Sequence, residues 1–168
     1  MDAEKATELL FNIVLMPRVP TKFFGEVDCS DDALYSFPSG LPGFEGHRSF
    51  FFLESPGAEP LLFLQSASAS SLCFVLLPVL VIDHAYDLSL TPEELTELQL
   101  PIDLKPVIGR DVLCAAMVCS GDQQTPTANL MSPVVINLQT RVGLQVIHGD
   151  SGYSYRHSLN LQEAVLQC

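Results

Sequence analysis

A small, mainly antiparallel β-barrel is the fold class this sequence predicts, and three observations carry the prediction. From residue 20 onward the chain is a series of short runs rich in Phe, Leu and Val, each bounded by Ser, Gly or Pro. Only one segment inside that series carries a complete helix start, and Pro101 closes it within a few residues. No strand, long helix, strand rhythm occurs, which excludes a doubly wound α/β fold. With 168 residues, 48% of them apolar and 17% charged, the chain has the bulk for one domain with a true core.

The elements follow in order. Residues 3–16 place Ala6, Leu9, Leu10, Ile13 and Val14 at helical spacing before Pro17, which predicts an N-terminal helical extension over residues 1–20. Residues 21–28 alternate as one strand, and residues 33–37 form a second. The segment Phe37-Pro38-Ser39-Gly40-Leu41-Pro42-Gly43-Phe44-Glu45 then packs two tight turns among large apolar side chains. It reads as a rigid corner anchored by Phe37, Leu41 and Phe44. Strands are expected at 49–53, 61–65 and 72–77, with residues 66–71 as a polar hinge. Thr91 can cap a helix, Pro92 suits its first position and Glu94 completes a capping box. Further strands are expected at 112–119, 127–130, 134–138 and 144–147. Residues 139–143 read as a hairpin loop with Gly143 at positive φ. A last helix is expected over 158–166, which leaves a tail at 160–168 beyond a barrel domain at 21–159.

Eight Lys and Arg stand against 20 Asp and Glu, a formal charge of −12. That field repels phosphate backbones and anionic membranes and attracts a basic protein partner. Cysteines 29, 73, 114, 119 and 168 form no CxxC, so they read as free thiols in a reducing cytoplasm. The start of the chain is acidic, unlike a secretory signal, and the apolar run at 72–82 is too short to span a bilayer.

Few residues invite catalysis. Gly149-Asp150-Ser151-Gly152 matches the nucleophile segment of chymotrypsin-like proteases, and a cryptic hydrolase would use Ser151 with His148 or His157. The same residues are ordinary turn chemistry, and the histidine segment of those enzymes is missing. Histidines 47, 84, 148 and 157 have no metal-ligand spacing, and neither a Walker A nor a GxGxxG cradle occurs, so no cofactor and no metal is expected. Arg141 and Arg156 read either as a contact patch or as partners of nearby carboxylates.

Several strings together resemble one family. Phe24-Gly25-Glu26, the Phe37 to Glu45 segment and Leu64-Gln65-Ser66 come first. Asn129-Leu130, Ser132-Pro133-Val134-Val135-Ile136-Asn137, Thr140-Arg141 and Gln145-Val146-Ile147 follow, then Tyr153 and Arg156-His157-Ser158-Leu159. On these residues the chain resembles the bacterial flagellar assembly factor FliW family. The resemblance implies a β-barrel without enzymatic activity, a monomer when free, acting in the cytoplasm. It implies two protein partners: the translational regulator CsrA, whose repression of flagellin mRNA is relieved, and flagellin, bound as by a chaperone. Direct nucleic-acid binding is not expected. The candidate partner-binding residues are the acids Asp28, Asp31, Asp32, Glu45, Asp83, Asp87, Glu93 and Glu94, with Arg141 and Arg156. An assembly protein that self-associates through its N-terminal helix is the remaining alternative.

Overall fold

The structure is a computed structural model that describes residues 18–121, 124–147 and 149–159. The expected helix at 3–16, His148 and the tail at 160–168 lie outside the described residues.

Ten strands, two short α-helices and one 3-10 turn (Asp31–Ala33) occur among the described residues. β1 (Arg18–Thr21) and β2 (Gly25–Asp28) form a separate hairpin. β3 (Tyr35–Ser36), β4 (Ser49–Leu53), β5 (Leu62–Ser66), β6 (Cys73–Pro78), β7 (Val112–Cys119), β8 (Thr127–Asn137) and β9 (Gly143–Gln145) then pair antiparallel in chain order. β10 (His157–Ser158) adds to the first half of β8. The sheet curls until its ends meet: Ser36 bridges Val142 in parallel, and the Ser36 N–H donates to the Arg141 carbonyl at 2.9 Å. The result is a nearly closed barrel with one seam, between β3 and β9.

Strand alternation sorts the apolar residues into three layers. Phe50, Leu64, Leu76, Ala115, Val134 and Ile136 point into the barrel. On β4 the intervening Phe51 and Leu53 point outward and pack under the β1–β2 hairpin. A third layer lies outside β7, β8 and β9, where Cys114, Ala116, Val135 and Leu144 meet Tyr86, Leu88 and Leu98 from the excursion between β6 and β7. That excursion holds α1 (Val79–Ile82), a single turn started at Pro78, and α2 (Pro92–Glu97).

Four expectations differ from what is observed. Residues 21–28 are a turn and a strand, because Gly25 adopts φ 68° and the Thr21 hydroxyl donates to the Gly25 carbonyl at 2.8 Å, folding the segment back. The strands expected at 127–130 and 134–138 are one strand running through Pro133. The β7 to β8 register shifts between Ala115 and Met117, so the proline falls in an irregular stretch that needs no ladder donor. In the β8–β9 loop positive φ belongs to Arg141 (59°) and not to Gly143. Gly143 is required for space, because a Cβ there would lie 2.7 Å from the Phe37 ring. Ser158 belongs to β10 and does not begin a helix.

Candidate functional site

The Phe37 to Glu45 segment closes one end of the barrel. Phe37 and Leu41 are fully buried in the interior cluster, and Phe37 meets Phe50 edge-on at 5.2 Å between ring centroids. Phe44 stays partly exposed while its ring packs edge-on against Phe74 at 5.1 Å. Gly40 (φ 70°) lets the chain double back so tightly that a Cβ there would stand 2.5 Å from the Glu45 Cα. Glu45 is thereby turned outward. Its Oε1 accepts the Gly43 N–H at 2.8 Å, and that bond, with its own amide, holds the carboxyl below the usual range.

α2 stands beside this turn. Its capping box is complete: the Thr91 N–H donates to Glu94 Oε2 at 2.8 Å, and the Glu94 N–H donates to Thr91 Oγ1 at 3.2 Å. Glu97 follows three residues later on the same face. The far end of α2 is tied to the barrel by buried Asn137, whose Nδ2 donates to the Leu98 carbonyl at 2.9 Å.

Between the turn, α2 and β9 lies a groove of about 330 Å3, lined by Pro42, Glu45, Glu94, Glu97, Gln145 and Ile147 among others. Among the described residues its titratable lining is Glu45, Glu94 and Glu97, all acidic, and Ile147 is 63% exposed beside it. Glu97 Oε1 is buried and has no hydrogen-bond partner among the described residues. The groove sits along the barrel seam. It offers negative charge and apolar surface together, a combination suited to a basic, partly apolar polypeptide.

Of the sequence-derived candidates, Glu45 and Glu94 meet in this groove. Asp32 and Arg141 meet at a second place, across the start of β3. Arg141 stacks over the Tyr35 ring at 5.6 Å. Asp32, next to Asp31 in a single 3-10 turn, is held below the usual carboxylate range by the Ser30 side chain first, then its own amide, with a smaller contribution from Arg141. The other candidates stand apart. Asp28 faces Arg18 across the hairpin at 3.3 Å, Asp83 caps the Ala85 amide at 2.9 Å, and Asp87 pairs with Lys105 at 3.3 Å. Glu93 is exposed in the first turn of α2, and Arg156 is exposed ahead of β10. Sequence reasoning did not select Glu97, Gln145 or Ile147. The spacing of Glu97 from Glu94 was the one available signal, since nothing in the sequence says which face of a short helix looks onto a strand.

The hydrolase alternative finds no support in the geometry. The Ser151 hydroxyl accepts the Tyr153 amide at 3.4 Å, and among the described residues no histidine bonds to it. Nor do the described residues hold any group of three or more His, Cys, Asp and Glu able to bind a metal. No described helix is long and apolar enough to cross a membrane.

The family model described as FliW protein matches residues 18–159. The flagellar assembly factor FliW of Natranaerobius thermophilus is 30% identical over 142 residues, spanning 84% of this chain and 91% of the relative. Its namesake in Bacillus licheniformis is 32% identical over 137 residues, spanning 80% and 91%. A crystal structure of the flagellar assembly factor FliW superposes with a TM-score of 0.74 at 29% identity, covering 84% of this chain and 96% of that one.

Proposed function

The chain belongs to the FliW family, and on that premise we propose that it is a cytoplasmic, non-enzymatic regulator of flagellum assembly acting through two protein partners. One is CsrA, whose repression of flagellin mRNA it relieves, and the other is flagellin, which it holds as a chaperone would. The groove that joins Glu45, Glu94 and Glu97 to the apolar rim at Ile147 is the observation that carries the reading to a place on the molecule. A surface of that composition, on a chain of formal charge −12, attracts a basic partner and repels the phosphates of any RNA that partner holds.

The domain that does this work comprises residues 21–159. Asp32 and Arg141, at the other end of the seam, form a second contact of mixed charge. The test is titration of the purified chain with CsrA and with flagellin, singly and together. A complex with each, weakened by salt, and displacement of one partner by the other are the expected results. Absence of affinity for both at low salt overturns the proposal.

A further inference from the structure

We propose that the groove at the barrel seam receives its partner as an added β-strand: an extended, cationic polypeptide segment that hydrogen-bonds to the open edge of β9. The inference rests on the reading of that groove as a partner site, and it names how the partner sits.

Hydrogen-bond parity shows an edge of β9 that no described strand covers beyond Gly143. The Asn137 N–H donates to the Val142 carbonyl at 2.8 Å, and the Val146 N–H donates to the Pro133 carbonyl at 2.9 Å. Residues 142, 144 and 146 therefore turn their main-chain groups toward β8. In an antiparallel ladder the alternate residues turn theirs the other way. Gln145, paired with Val134 at such an alternate position, directs its N–H and carbonyl to the seam. On that side β3 contributes only the bridge from Ser36 to Val142, after which the chain diverges into the Phe37 to Glu45 turn. No backbone hydrogen bond joins this turn to Gln145 or Ile147; the groove of about 330 Å3 lies between them.

An unpaired edge is a template for another strand. The charge of the walls selects which one. Glu45 lies on one side of the groove and Glu94 and Glu97 on the other, with no Lys or Arg among the described residues of the lining. A strand in register with β9 would present alternate side chains to these carboxylates.

The probe is a synthetic peptide alternating valine and lysine. Its controls are the same peptide with glutamate for lysine, and one N-methylated on every main-chain nitrogen. Amide hydrogen exchange is followed residue by residue in the full chain. The alternating valine–lysine peptide should slow exchange at Gln145 about tenfold or more at saturation, and neither control should. Unchanged exchange at saturating peptide, or equal binding of the N-methylated form, overturns strand addition. CsrA or flagellin binding without protection of Gln145 overturns it too, while leaving the regulatory reading intact. Protection by the valine–lysine peptide without affinity for either protein does the reverse.

Discussion

The Phe37 ring fills the space that a side chain on Gly143 would need, with its Cε1 and Cζ 2.7 Å from the position of a Cβ there. The first residue of the signature segment's aromatic plug and the first residue of β9 are thus fitted to each other across the seam. Gly143→Ala should destabilise the fold by roughly 1–3 kcal/mol, because the buried ring must shift or the strand must leave it. Urea unfolding would measure this. Combining Gly143→Ala with Phe37→Leu should cost less than the sum of the two, since the smaller side chain relieves the clash.

Asn137 carries a separate prediction. Its side chain donates to the Leu98 carbonyl, and its Oδ1 accepts the amides of Gln139 at 2.8 Å and Thr140 at 3.2 Å. Asn137→Ala leaves these groups without partners in or near the core, at a cost of roughly 2–4 kcal/mol. The same change releases the end of α2, so amide exchange at Leu98 should rise more than exchange in β4 or β5. Equal rises throughout would show global destabilisation only.

The Cys114 thiol gives a pH dependence. Burial against the outer face of the barrel pushes it up from 9.0 to about 12. Above pH 9 the unfolded chain loses this proton while the folded chain keeps it. Fewer protons on the unfolded side mean that stability falls as pH rises, between pH 9 and about 12. This group contributes a slope of at most about 1.4 kcal/mol per pH unit. Cys114→Ala should flatten that part of the profile in urea titrations at stepped pH. At pH 8 a thiol reagent should modify exposed Cys119 and spare Cys114.

Charge in the groove can be removed while the Gly43 amide and the capping box keep their acceptors. Glutamine at positions 45 and 94 keeps an acceptor for the Gly43 amide and for the capping box. Glu45→Gln combined with Glu94→Gln should therefore leave the unfolding midpoint nearly unchanged. Affinity for CsrA or flagellin at low salt should fall about tenfold and its salt dependence should flatten, as calorimetry in stepped salt would report. An unaltered salt slope would place the electrostatic contact elsewhere.

Local rules made much of the barrel legible. Runs such as Ser49–Leu53 and Val112–Cys119 declare themselves by composition and punctuation, and the capping box at Thr91 needs only four neighbouring residues. Pro133 misled because proline weakens a strand only where its missing donor would have been used, and register decides that. Gly143 misled in the same manner: the glycine was evident, but its reason was a ring more than a hundred positions away.

By itself the sequence determined the family, the antiparallel class and the acidic character, since motif strings, alternation and charge are properties of neighbouring residues. It also singled out the corner from Phe37 to Glu45. Only the tertiary structure decided that this corner plugs the barrel, that Glu45 shares a groove with Glu94 and Glu97, and that no described strand pairs with the seam side of Gln145. Those facts depend on where a curled sheet meets itself. Closure is set by the summed twist and register of seven strands, and no local pattern encodes which two edges will face each other.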